Sequence, residues 1–256
     1  MIPRMIHYCW FGDKKIPDRN QRFIEEWKKF FPDYEIQLWN EKSFDITCCN
    51  FCRQAYNQKQ YAFVSDYVRA KVLYEYGGIY LDTDVELRKK IPMLDGPMGI
   101  VGFERQKFLG TAVIAVPPKN PMIKKMVSYY ENHSFLQKDG NMDIIANVSL
   151  LTDIMTEEGL RRNGSEQNCG GFHIFPREYF YPKKTGKDKF QITEETCAIH
   201  WCDNSWMTDR EKRRGTNKIW IRAVRPLLQG IRKILMKIIG RDRVRRVEIW
   251  LRNQLR

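Results

Sequence analysis

Two aspartates one residue apart, Asp82 and Asp84, stand directly after the apolar run Ile79-Tyr80-Leu81, which itself follows Gly77-Gly78. Strand side chains alternate between faces, so at a strand's end residues i and i+2 project the same way. Two carboxylates so placed repel each other unless a cation lies between them. Hard oxygen ligands at this spacing suit Mn²⁺ or Mg²⁺, which also hold diphosphate oxygens and neutralise a phosphate-bearing leaving group. Just upstream, Asp66 and Arg69 add a carboxylate that can accept from hydroxyls and a guanidinium that can span two oxygens. Trp10 follows the first apolar run, where an aromatic side chain either packs in a core or stacks on a nucleobase. Near the far end, His200, Asp203, Asn204 and Ser205 gather around Trp201 and Trp206. Alone, an Asp-x-Asp is a common exposed turn, and an i,i+3 ion pair is a common solvated one. Position lends them weight, because open α/β sheets bind ligands at the carboxyl ends of their strands.

The surrounding pattern supplies such a sheet. Met5 to Trp10 reads as a buried first strand, Pro17 to Phe31 as an amphipathic helix bearing Phe23 and Trp27, and Tyr34 to Trp39 as a second strand. A strand-helix-strand opening begins a nucleotide-binding α/β fold. Asp45 to Asn57 reads as loop plus short helix. Gln60 to Tyr76 is the clearest helix, with Ala62, Asp66, Arg69 and Leu73 on one face and Gly77 as its C-cap. Gly99 to Phe103 and Thr111 to Val116 read as strands, and helices are expected from Asn120-Pro121 to Tyr130 and over Met142 to Glu158. Glu166 to Phe190, rich in Gly, aromatics and Lys, reads as irregular loops able to cover a site. Ala198 to Trp206 closes the globular part.

The chain has 256 residues and a formal net charge of +13. That charge is concentrated: residues 210–256 hold 16 Lys and Arg against 3 Asp and Glu, leaving the body neutral. A neutral body without a recognition motif argues against a nucleic-acid partner. Two domains are expected, a catalytic body over 1–209 and a basic amphipathic helical tail over 210–256. In the tail, Trp220, Val224, Ile231 and Ile238 recur at helical spacing among Arg222, Arg225, Arg232 and Lys237. Such helices lie in the headgroup region of anionic membranes, with packing on the domain or a dimer seam as the alternatives. No run reaches transmembrane length, and the N-terminus lacks the apolar core of a secretory signal. The expected location is therefore cytoplasmic, peripheral on the inner face of the cell membrane. The seven cysteines read as reduced thiols, and Cys48, Cys49 and Cys52 lack a fourth zinc ligand at familiar spacing.

The pattern Ala62-x-x-Ser65-Asp66-x-x-Arg69-x-x-x-Leu73-x-x-x-Gly77-Gly78-x-Tyr80-Leu81-Asp82-x-Asp84 resembles the sugar-binding DXD region of glycosyltransferase family 32. That family includes yeast-type initiating mannosyltransferases and bacterial capsular and lipopolysaccharide transferases. The same pattern is similar to one in the glucosyltransferase domain of large clostridial toxins. Ile2-Pro3-x-x-Ile6-His7-x-x-Trp10-Phe11-Gly12 and His200-x-x-x-x-Ser205-Trp206 extend the resemblance to about Trp206. It implies a GT-A fold and retaining hexosyl transfer from a nucleotide-diphospho-sugar, UDP-sugar ahead of GDP-sugar. The acceptor implied is an oligosaccharide hydroxyl, lipid-linked in surface polysaccharide synthesis. By resemblance, Trp10 stacks on the base, Asp66 and Arg69 bind the donor sugar, and Tyr80 belongs to the donor site. Asp82 contacts ribose, sugar or metal-bound water, and Asp84 ligates the metal. Ser205 and Trp206 close the site near the diphosphate, and His200 or Asp203 completes the metal shell. Glu104 and Asp143 are the acids to inspect for a nucleophilic or acceptor-orienting role. A toxin-like protein glycosyltransferase and a nucleotide-sugar hydrolase share these features and remain the alternatives.

Overall fold

The computed structural model describes residues 1–137, 142, 145–182, 190–203 and 230. The tail, Ser205, Trp206 and Asp143 lie outside the described residues, with the expectations attached to them. The elements run β1 (Met5–Cys9), α1 (Asp18–Phe30), β2 (Glu35–Trp39), α2 (Asn50–Asn57), α3 (Tyr61–Tyr76), β3 (Gly78–Leu81), β4 (Val85–Leu87), β5 (Gly99–Arg105) and β6 (Phe108–Val116). There follow α4 (Pro121–Asn132), α5 (Asn147–Glu157), β7 (Gln167–Cys169), β8 (Phe172–Phe175), a 3₁₀ turn (Arg177–Tyr179) and β9 (Ala198–His200). Seven strands form a mixed sheet in the order β2-β1-β3-β6-β5-β8-β7, and β4 pairs with β9 in a small separate ribbon. The expected α/β sheet with flanking helices is what the chain forms.

β3 is central and wholly buried. It runs parallel to β1, with Ile6 opposite Ile79, and antiparallel to β6, with Leu81 opposite Val113. Its side chains alternate between two cores. Tyr80 packs with Tyr67, Leu73, Phe103 and Tyr130 beneath α2 to α5, while Ile79 and Leu81 pack with Trp27, Val85 and Ala198 on the other face. The α3–β3 junction is sharp because Gly77 and Gly78 take φ of 66° and 97°. A Cβ on Gly77 would stand 2.6 Å from the Pro118 nitrogen, so both backbone freedom and close approach demand glycine there. His7 clasps the junction from β1. Its buried ring donates from Nε2 to the Gly77 carbonyl (2.8 Å) and accepts at Nδ1 from Trp39 Nε1 (3.1 Å).

The segment read as irregular loops departs from expectation. β7 and β8 lie within it, and β8 runs parallel to β5 with Ile100 opposite His173, extending the main sheet. β7 and β8 form a hairpin across Gly170-Gly171, while the strand that ties the pair to the sheet, β5, lies far away in sequence. α5 begins at Asn147, five residues later than the pattern suggested. All seven cysteines are thiols outside any disulfide, and the Cys49 sulfur caps α2 by accepting from Cys52 N–H.

Candidate active site

β3 ends at Leu81, so the two acids belong to the turn that follows and not to the strand. Asp82 N–H donates to the Ala112 carbonyl of β6 (2.9 Å), and Val85 N–H donates back to the Asp82 carbonyl (3.0 Å). That turn makes the carboxylates converge, where strand alternation alone had been expected to. Buried Asn20 of α1 braces its middle, Nδ2 to Thr83 Oγ1 at 3.5 Å.

The third member arrives from the far end of the chain. β4 and β9 pair antiparallel with Val85 opposite His200, which lays the imidazole beside the turn. His200 Nε2 stands 3.4 Å from Asp84 Oδ1 and 3.9 Å from Asp82 Oδ2. One ligand atom each from Asp82, Asp84 and His200 lies within 4.8 Å of the others. Two carboxylates and an imidazole fit Mn²⁺ or Mg²⁺ in charge and donor type. Burial works against charge on His200, but the Asp84 carboxylate and Cys202 outweigh it and raise its pKa well above the ordinary value. Burial likewise works against ionised Asp84, and His200 with the Asp203 N–H (2.8 Å) overcomes it and holds the carboxyl below its usual range.

Asp82 is otherwise engaged. Arg69, its side chain 6% exposed, donates from Nη2 to Asp82 Oδ1 (2.9 Å) and from Nη1 to the Thr111 carbonyl (2.5 Å). Nη2 also lies 3.5 Å from Asp66 Oδ1. Burial opposes the guanidinium charge, yet Asp82, Tyr80 and Asp66 together raise its pKa. Tyr80 serves this cation from below: its ring, 1% exposed, lies 4.4 Å from the guanidinium carbon, within the core. Asp66 accepts from Asn147 Nδ2 at 3.1 Å, and burial pushes its carboxyl up to about 6 against the pull of Arg69.

The other expected residues scatter. Trp10 lies half-buried at the carboxyl end of β1, its indole N–H donating to the Lys14 carbonyl. The Asp203 carboxylate is taken by Arg19 of α1, so only its backbone N–H reaches Asp84. Glu104 joins His200 and Cys202 in a second convergent group, described below. Three contributors were not foreseen. Arg19 also lies over the Trp201 ring at 4.8 Å, Asn147 orients Asp66, and Tyr181 walls His200 edge-on at 5.9 Å. For Asn147 the signal was a polar residue within the helix expected over Met142 to Glu158; Arg19 and Tyr181 carried none.

Residues 17–100 match the family described as "Glycosyltransferase sugar-binding region containing DXD motif", a span that includes Asp66, Arg69, Asp82 and Asp84. The match and the geometry together support a glycosyltransferase of the DXD class. Among individual proteins, the chain is 26% identical over 151 residues to inositol phosphoceramide mannosyltransferase 1 of Schizosaccharomyces pombe, covering 54% of this chain and 46% of that one. It is 35% identical over 101 residues to inositol phosphoceramide mannosyltransferase 3 of the same yeast, covering 38% and 28% respectively. The chain thus spans less than half the length of these curated relatives. Of solved structures, it is similar to the PaToxG glycosyltransferase, with a TM-score of 0.49 and 21% identity over 62% of this chain and 70% of that one.

Proposed function

We propose that this chain is a metal-dependent glycosyltransferase of GT-A architecture, within family 32. It moves a hexose with retention from a nucleotide-diphospho-sugar, UDP-sugar ahead of GDP-sugar, to a hydroxyl. The observation that carries the reading is the convergence of Asp82, Asp84 and His200 beside the buried Arg69–Asp66 pair.

Asp84, His200 and Asp82 would hold a divalent cation, which would supply positive charge to a departing diphosphate. The chain's own residues do the rest. Arg69 fixes Asp82 in its rotamer and presents positive charge next to the leaving group. Asp66, oriented by Asn147, accepts from donor-sugar hydroxyls, and Trp10 stacks on the base. The acceptor hydroxyl attacks from the leaving-group face and passes its proton to the diphosphate oxygen. This front-side route asks for no protein nucleophile, and Glu104, close to His200, orients the acceptor.

The two yeast relatives are by name mannosyltransferases of inositol phosphoceramide, which supports a lipid-linked acceptor here. The basic amphipathic tail supports the same reading, with the enzyme peripheral on the inner, anionic face of a membrane during capsular polysaccharide or lipopolysaccharide synthesis. Thermal shift against a panel of UDP- and GDP-sugars with Mn²⁺ tests the donor, since ligands that bind the folded state raise its stability. One donor should stand out and lose its effect in Asp84→Ala. Turnover persisting in that variant with no metal requirement refutes the mechanism.

A further inference from the structure

His200 has two nitrogens, and only one faces the acid pair. Its Nδ1 lies 3.5 Å from the sulfur of Cys202, and one ligand atom each of Glu104, His200 and Cys202 lies within 4.8 Å of the others. All three side chains are half-buried, open enough for an ion to enter. We propose that Glu104, His200 and Cys202 form a second cation site, selective for a thiophilic ion such as Zn²⁺, that competes with the Asp82/Asp84 site for His200.

Geometry and donor chemistry carry the argument. Bonds of about 2.0 to 2.3 Å around a tetrahedral Zn²⁺ place ligand atoms roughly 3.3 to 3.8 Å apart. The His200–Cys202 separation already falls in that range, and Glu104, within 4.8 Å of both, has at most about 1.5 Å to close. Cys202 takes a left-handed backbone conformation, φ 56°, with its sulfur also near the His200 carbonyl (3.6 Å). Thiolate, imidazole and carboxylate together favour Zn²⁺ over the harder Mn²⁺ and leave a fourth position for water. Arg177 adds positive charge near Glu104 and Cys202, which tempers affinity for the ion.

A neutral imidazole offers one lone pair. With Nδ1 on Zn²⁺, Nε2 carries the hydrogen and points at Asp84 Oδ1, 3.4 Å away. That is the carboxylate–histidine–metal arrangement, in which Asp84 becomes the hydrogen-bond partner of a ligand. With Nε2 on a cation at the acids, Nδ1 carries the hydrogen and faces Cys202. The two sites are therefore alternatives, and Zn²⁺ in one weakens Mn²⁺ in the other. Only this competition rests on the transferase reading; binding at the second site does not.

Co²⁺, which reports thiolate ligation by near-ultraviolet charge-transfer absorption, is the probe. The full chain carrying Cys48→Ser, Cys49→Ser and Cys169→Ser, which removes the other thiols outside the core, should give that absorption at one equivalent of Co²⁺. Adding Cys202→Ser should abolish it, with circular dichroism unchanged, and Zn²⁺ should displace the Co²⁺ at far lower concentration than Mn²⁺, which competes only through His200. One equivalent of Zn²⁺ should weaken Mn²⁺ binding, read from the electron paramagnetic resonance of free Mn²⁺, by roughly tenfold or more. That weakening should vanish in Cys202→Ser and in Glu104→Gln. No thiolate band, or one that survives Cys202→Ser, overturns the site. Equal weakening in the variants overturns the competition, because Zn²⁺ then displaces Mn²⁺ directly from the acids.

Discussion

Asp82 and Asp84 look equivalent in sequence, but exchanging each for asparagine should give opposite phenotypes. Asp82 shares its charge with Arg69, whose side chain is 6% exposed against 25% for Asp82. Removing one partner of a fully buried ion pair costs about 3 to 5 kcal/mol. Here the loss is smaller. In Asp82→Asn the amide oxygen still accepts a neutral hydrogen bond from Arg69, in place of the charged one at 2.9 Å, and Arg69 keeps the Thr111 carbonyl and Asp66. About 2 kcal/mol remains, the difference between charged and neutral pairing plus part of the stranded charge. That corresponds to a melting temperature lower by roughly 4 to 8 °C in a domain of this size. In Asp84→Asn, the amide oxygen still accepts from Asp203 N–H, and loss of the His200 attraction is partly offset by relief of repulsion from Asp82. Its stability should stay within about 1 kcal/mol of the parent, while Mn²⁺ binding is lost. Urea unfolding at pH 7, with Mn²⁺ titration by calorimetry, measures both quantities. If Asp82→Asn costs no more stability than Asp84→Asn, or if it alone abolishes Mn²⁺ binding, the division of labour is refuted.

Three further outcomes follow from the same physics. His7 is buried neutral with its pKa lowered to about 4, mainly by burial. The unfolded chain, at 6.5, binds the extra proton first, so stability falls by about 3 kcal/mol as pH drops from 6.5 to 4. His7→Gln should show that much less acid destabilisation in urea melts, and an unchanged slope refutes the assignment. Asp66, raised to about 6 by burial, has the opposite linkage: its proton is held in the native state, and the stability this contributes is lost as pH rises from 3.8 to 6. Its carboxylate is what donor hydroxyls require, so kcat/KM should fall as pH drops through about 6; Asp66→Asn should be slow and lack that limb, and a limb kept intact assigns it elsewhere. Finally, deleting residues 218–256 should release the protein from anionic liposomes, and undiminished co-sedimentation removes the membrane role of the tail.

The legible parts of this site were those whose causes are local. α3, its Gly77 stop and the short strand before Asp82 follow from periodicity and backbone sterics within one segment, and the structure has all three. What the sequence could not disclose depends on distant partners. Gln167–Cys169 is too short and polar to read as a strand until β8, itself held by distant β5, lies beside it. Tyr80 stood inside the recognised pattern, yet strand alternation turns it into the core, where it supports Arg69. Asp203 had the chemistry of a metal ligand, but Arg19, on another element, claims its carboxylate.

His200 shows the difference most sharply. Its type and neighbourhood suggested a ligand; its position depends on Val85 lying opposite it across β4 and β9. Strand side chains have a period of two, so a slip of one residue in that ribbon would turn the imidazole away and bring Ile199 or Trp201 into its place. Trp201 guards against the slip. Its backbone N–H donates to the Asp84 carbonyl and its indole to Glu86 Oε2, at 3.1 and 3.0 Å. The register of a three-residue strand thus decides whether two acids on a turn become a cation site. Arg19 and Trp201, which contribute no atom to the Asp82, Asp84 and His200 cluster, hold that register in place.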